Sequence, residues 1–141
     1  MKRKTLFIGV AVVFSLLTTT TLIKCQLDPD QRVSDASTVN SILVDELITD
    51  ESDNSSHLIG DVIAISGFVE EVNYLNNRTT IIVKGNSTGK KSVICDMQKS
   101  QRALIDSLKV GQAITVKGIL KGFLHDVILL NCIISYPTNH D

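Results

Sequence analysis

The chain has no tryptophan, and two tyrosines with four phenylalanines make up only 4% of its 141 residues. Surfaces that hold single-stranded nucleic acid stack bases on aromatic side chains beside a basic groove, and this set leaves little to build one with. Positive charge is also short. The formal net charge is −1, whereas a domain dedicated to nucleic acid usually carries a heavy basic excess. The three cysteines include no Cys-x-x-Cys pair, which removes the usual redox motif. His57, His125 and His140 are scattered, with no two at helix-face spacing, so no metal site is expected. No serine sits in a recognisable elbow with an assignable histidine and acid. Glu70 and Glu71 are adjacent; on a strand they point to opposite faces and cannot act together as acid and base. Nothing supports catalysis, and no cofactor is expected.

Acid is missing from residues 1–25, which hold Lys2, Arg3, Lys4 and Lys24. The net charge of −1 therefore hides an asymmetry. Residues 26–61 contain nine acids and one arginine, a net of −8, and residues 62–141 contain six acids and nine bases, a net of +3. An acidic segment precedes a mildly basic one.

The cluster Met1-Lys2-Arg3-Lys4 is followed by 19 uncharged, mostly apolar residues, 5–23. Positive charge before an apolar run is an export signal and places the start of the run in the cytoplasm. The run is about long enough to span a bilayer, which takes roughly 20 residues. An uncleaved membrane anchor is the first reading, so the membrane is an expected partner through residues 5–23. A lipoprotein is the second, because Cys25 stands where a lipidated cysteine would, although Lys24 occupies a position that such signals keep small. A freely secreted protein is the third, because no convincing small-x-small cleavage site appears. All three put the remaining chain on the periplasmic or extracytoplasmic side.

Residues 26–36 are polar, carry Pro29, and read as a linker. Asp35 or Ser37 can cap a helix. Val39, Ile42, Leu43 and Leu47 then recur at helical spacing, which predicts an amphipathic helix that packs on the following domain, docks a partner, or covers the basic barrel as an acidic flap.

Five strands are expected after it. Ile63, Ile65, Gly67 and Val69 alternate, and the phase then shifts to reach Val72, as a strand must if it bends to serve both sides of a barrel. Leu75-Asn76-Asn77-Arg78 supplies a hairpin turn. Thr79–Lys84 is the second strand, and Ser92–Met97 the third, with Val93, Cys95 and Met97 on one face. The loop between them, Lys84–Lys91, lacks the spacing and the following helix of a phosphate cradle. Gln98–Leu108 reads as a short helix whose Leu104 and Leu108 plug one end. Ile114, Val116, Gly118 and Leu120 alternate along the fourth strand, where Gly118 signals a bend or a close approach. Asp126–Ser135 is the fifth. Three strands, a helix and two strands is the order of the OB-fold, a five-stranded Greek-key barrel. The fold class is all-β with two helices, one of them before the barrel, and an N-terminal anchor helix.

The runs Gly60–Val69, Ser92–Cys95, Val110–Gly118 and Asp126–Cys132 resemble, in that order, the blocks of the tRNA-anti-like OB-fold family, small exported bacterial proteins. The resemblance covers roughly residues 37–135. It implies the barrel but supplies no ligand, activity or catalytic residue. The domain plan is then an anchor or signal over 1–25, a linker over 26–36, an OB domain over 37–136 and a tail over 137–141.

Phe68 lies out of phase with the inward set of its strand, and with Lys117 or Lys121 nearby it would form a thin ligand-binding face. Cys95 and Cys132 fall on strands that become neighbours when such a barrel closes. A bridge between them closes a 38-residue loop, worth about 4 kcal/mol in the chain-entropy model; the alternative is two buried thiols acting as small apolar residues. The sequence points to a non-enzymatic OB module tethered at the cell envelope, binding a protein or small envelope ligand. The second reading is oligonucleotide or polyanion binding through the basic barrel.

Overall fold

The computed structural model describes residues 28–37, 40–49, 55–86 and 91–135. In chain order these hold α1 (Pro29–Asp35), β1 (Asn40–Leu43), α2 (Val44–Thr49), a 3-10 turn at Ser56–Leu58, β2 (Val62–Leu75), β3 (Arg78–Lys84) and β4 (Val93–Met97). A second 3-10 turn at Lys99–Gln101, α3 (Arg102–Ile105), β5 (Ala113–Phe123) and β6 (Val127–Ser135) follow. The anchor expected over residues 1–25 lies outside the described residues, and among those described no helix is long and apolar enough to cross a membrane.

The barrel strands place branched aliphatic residues at every second position, the spacing that loads one face of a pleated strand. Ile63, Ile65, Ile81, Val83, Val93, Val116, Leu120 and Leu129 are buried together in one core with Cys95 and Cys132. β2 pairs antiparallel with β5 and β3, β3 with β4, and β5 with β6; β4 and β6 run parallel. The ring β2-β3-β4-β6-β5 closes on itself, and its order is that of the OB-fold.

Closure asks most of β2. Its first half pairs with β5 and its second with β3, and Phe68 belongs to both pairings, opposite Ala113 and Lys84. The register then slips between Val69 and Glu71, a bulge that bends the strand and re-aims its side chains. Val72 thereby returns to the core, as the phase shift in the sequence predicts. At Gly67 a Cβ would come 2.5 Å from the Lys84 carbonyl oxygen and 3.0 Å from Val44 Cγ2, so the bend is tight enough to demand glycine. The β2–β3 turn puts Asn76 and Asn77 at φ 49° and 61°, the left-handed pair of a type I′ hairpin.

Three expectations for the flanking segments are corrected. Residues 29–35, read as linker, are α1: the Asp28 side chain caps it by accepting from the Asp30 N–H at 3.2 Å, and Pro29 occupies its first turn, where a missing N–H costs nothing. Asp35 ends this helix and does not cap the next. The single amphipathic helix expected to carry Val39–Leu47 is divided: β1 pairs parallel with Ile63–Ser66, and among the described residues of that span only Val44–Thr49 is helical. The backbone partners offered by the free edge of β2 outweigh helical periodicity there. In the third segment, α3 is a single turn, so Ile105 plugs the barrel end and Leu104 is 39% exposed.

That end is also held from outside. Tyr74, at the tip of β2, has its ring 4.3 Å from the Arg102 guanidinium carbon. Its hydroxyl donates to Asp106 Oδ1 at 2.9 Å, and Arg102 Nε donates to the same oxygen at 3.2 Å.

Two outcomes are expected. Leu129→Ala, which empties a fully buried position, should lower stability in urea unfolding by about 2–5 kcal/mol with an unchanged slope. The hydrogen bond to Asp106, then burial and the Asp106 charge, raises the Tyr74 pKa above its ordinary 10.0. The neutral phenol therefore contributes stability below about pH 10 that is lost as pH rises through the folded value. With Tyr136→Phe leaving one tyrosine, absorbance titration should give a midpoint above 10.0, and adding Asp106→Asn should bring it back down.

Candidate functional site

A cleft of about 360 Å³ opens where β1 and α2, the middle of β2, the loop after β3, the end of α3 and the start of β5 converge. Its apolar lining comes from Leu43, Phe68, Leu104, Leu108 and Ile134. Leu43, at the rim, is 54% exposed. Polar groups are few. Ser66 Oγ and Thr115 Oγ1 share a hydrogen bond of 2.9 Å on paired positions of β2 and β5, and Asn86, Ser107, Gln112 and Ser135 complete the uncharged set. Among the described residues that line the cleft, Asp45 alone carries a formal charge.

Asp45 has a local task. Its Oδ2 accepts from the Asn86 N–H at 2.8 Å, and a Cβ on Gly85 would collide with its carboxylate. The loop leaving β3 is thus laid backbone-first against α2, which fixes that wall of the cleft. An apolar hollow with a few oriented hydroxyls and amides suits a small apolar group or an apolar side chain of a partner. Among the described residues that line it, none is a cation that could hold a phosphate.

The second surface is the outer face of β3 and β4, with the adjacent turns the region where OB-folds commonly take oligonucleotides. Here Ile82, Ile94 and Ile128 stand side by side across three strands, all half-buried. The exposed Leu75 and Leu124 lie at the β2–β3 and β5–β6 turns. Arg78 on this face is spent on Asp96: its NH2 makes a short ion pair with Oδ2, and its Nε donates to Oδ1 at 3.3 Å. The carboxylate holds the guanidinium even more firmly charged than usual. Aliphatic side chains thus occupy the place where a base-stacking face needs aromatic ones.

Phe68, Lys117 and Lys121 are not brought together. Phe68 lines the cleft opposite Ala113. Lys117 lies four residues further along β5 and Lys121 eight, about 13 and 27 Å away at the rise of a strand. Lys117 Nζ donates to the carbonyl oxygens of Ala36 at 2.9 Å and Ser34 at 3.4 Å, so it ties down the end of α1. Lys121 is exposed at an irregularity in β5. Cys25 lies outside the described residues. Cys95 and Cys132 are buried thiols on neighbouring strands.

Sequence reasoning missed the polar clasp that seats α1 on the outer wall of β5 and β6. Asn131 Nδ2 donates to Asp30 Oδ1 at 2.6 Å, and Gln98 Nε2 donates to the carbonyls of Asp30 and Asn131, each at 2.9 Å. Arg32 donates to the Gly60 carbonyl at 2.8 Å. Val33 is fully buried beneath the helix, apart from the barrel's own core. The Asp28-Pro29 pair was the available signal for this helix; the partners from Gln98 and Asn131 left no local one.

Against solved structures the chain is similar to a lipoprotein of Klebsiella pneumoniae subsp. pneumoniae to which nucleic-acid binding is ascribed. That match has a TM-score of 0.59 at 14% identity and covers 79% of this chain and 100% of the other. It is also similar to a chain of the S. pombe Stn1–Ten1 complex, with a TM-score of 0.51 at 17% identity over 73% of this chain and 82% of that one. At such identities the likeness is one of fold. No curated protein sequence matches. The tRNA_anti-like family model matches residues 1–134, nearly the whole length, and the chain belongs to the tRNA_anti-like family of OB-fold proteins.

Proposed function

We propose that this protein is a non-enzymatic binding module, held at the bacterial cell envelope by residues 5–23, that takes an apolar segment of a protein partner or a small apolar envelope ligand. The observation that carries the reading is the character of its open surfaces. The cleft beside Phe68 is apolar, with hydroxyls and a single carboxylate, and the β3–β4 face presents a row of isoleucines. Three of the nine cations of residues 62–141 are engaged within the fold: Arg78 with Asp96, Arg102 with Asp106 and Lys117 with the end of α1. Phe68 serves as a ligand contact at the cleft floor, and Lys117 holds α1 in place. The domain begins within a few residues of the apolar run, because α1 starts at Pro29 and is clasped to the barrel. Four or five intervening residues span at most about 18 Å, so the barrel sits close to the membrane surface.

The second reading is binding of an oligonucleotide or other polyanion. It is favoured by the net charge of +3 over residues 62–141 and by the nucleic-acid binding ascribed to the K. pneumoniae neighbour. That neighbour is a lipoprotein, which also keeps lipidation of Cys25 as the alternative mode of tethering.

Two measurements separate these readings. The protein should pass through a heparin or single-stranded DNA column at low ionic strength. Retention that collapses steeply with added salt would establish the polyanion reading in its place. A reporter enzyme that is active only outside the cytoplasm, fused after Asp141, should show activity with residues 1–25 present and lose it when they are deleted. Equal activity without them would remove the envelope assignment.

A further inference from the structure

Two sulfurs meet where the barrel closes. Cys95 on β4 lies opposite Leu129 of β6, and Met97 lies opposite Cys132, with a slip in register between the two pairs. Asn131, in the left-handed conformation at φ 56°, takes up the extra residue of β6. The next side chain, that of Cys132, is thereby turned inward beside Cys95. Both thiols are fully buried, on neighbouring strands and in the same core cluster.

The neighbouring strand makes room for them. Gly118 on β5 faces Cys132, and a Cβ there would stand 2.5 Å from Cys132 Sγ and 3.1 Å from the Leu130 carbonyl oxygen. This is the close approach that a glycine inside a strand signals. Any larger residue would push the sulfur out of the seam.

We propose that Cys95 and Cys132 are a disulfide site that is oxidised as the chain folds and then staples the parallel β4–β6 seam. The seam is one of the ring's non-local pairings, joining strands separated by α3 and β5. A covalent link there removes freedom from the unfolded chain across a 38-residue loop. The timing follows from burial. In the folded barrel, desolvation first, and then the neighbouring Cys95, pushes the Cys132 thiol well above its ordinary range, so the nucleophilic thiolate is scarce and no oxidant reaches it. In the open chain one cysteine thiolate attacks a disulfide of a glutathione or protein-disulfide oxidant, forming a mixed disulfide and releasing one thiol. The second cysteine thiolate then attacks the protein-side sulfur and expels the other thiol. Two protons and two electrons pass to the oxidant, which leaves as two thiols.

The test does not depend on export, because the oxidant is supplied. The full chain in detergent is unfolded, reduced and refolded in a glutathione buffer rich in the oxidised form. Free thiols are then blocked and the protein is digested with trypsin without reduction. The expected product is a covalent pair of the peptides 92–99 and 122–141, with Cys25 in its own peptide, 25–32. Alkylation of both Cys95 and Cys132, or a bridge from either to Cys25, would overturn the assignment. The urea midpoint of the refolded protein should fall on reduction, and that of Cys132→Ala should not respond. An unchanged wild-type midpoint would overturn the staple, and bridging of the folded, reduced protein as fast as of the unfolded chain would overturn the order of events.

Discussion

The structure rests on one long strand that exchanges neighbours partway along its length. β2 pairs with β5 through Val62–Phe68 on one edge and with β3 through Phe68–Leu75 on the other, and it must bend at that exchange for the ring to close. Gly67 lets the backbone of β3 and the side chain of Val44 come close enough for the bend. The bulge at Glu70 then returns Val72 to the interior. Without that slip, every side chain beyond it would be turned to the wrong face, and the apolar set of β3 would have nothing to pack against.

The same bend creates the cleft. Where β2 leaves β5 for β3, its first half has an unused edge, and β1 adds to it in parallel. α2 follows at once and brings Asp45 over the loop leaving β3. The hollow around Phe68 is therefore a by-product of closing this barrel with an extra strand. Its apolar walls are the ends of elements whose other residues form the core. The cleft and the core share residues such as Leu108, Ile114 and Ile134, so the cleft's shape is as fixed as the barrel itself.

Electrostatics set the character of the surface more than the count of charges does. The basic excess over residues 62–141 is real, yet Arg78, Arg102 and Lys117 each have an intramolecular partner. The acids that face them come from the barrel itself, and the carbonyls that hold Lys117 come from α1. The acidic segment before the barrel does act as a cover, but through backbone carbonyls, one buried valine and the Asp30–Asn131 contact, without opposing rows of charge. Exposed ion pairs contribute little stability; their consequence here is a face with less free positive charge than its composition suggests.

The five barrel strands, the hairpin at Asn76-Asn77, the phase shift after Val69 and the inward set Ile114, Val116, Gly118 and Leu120 were all legible in the sequence, because a period of two and a left-handed asparagine pair are local properties. The segments around the barrel were not. Ile42 and Leu43 fit a helical stripe as well as a strand, and only the vacant edge of β2 chose between them. α1 was hidden in a short polar stretch because its stabilising partners, Gln98 and Asn131, are 68 and 101 residues from Asp30. Lys117 looked like part of a ligand face until α1 was seen to end on it.

Composition and periodicity by themselves determined that this chain makes a small closed β-barrel with a charged and apolar beginning, since burying alternate side chains leaves few other arrangements. Which side chains meet was decided only when the ring closed. The junction of Cys95 with Cys132, the seat of α1 and the hollow beside Phe68 all depend on strand register and on edges left over after pairing, quantities that no single segment contains.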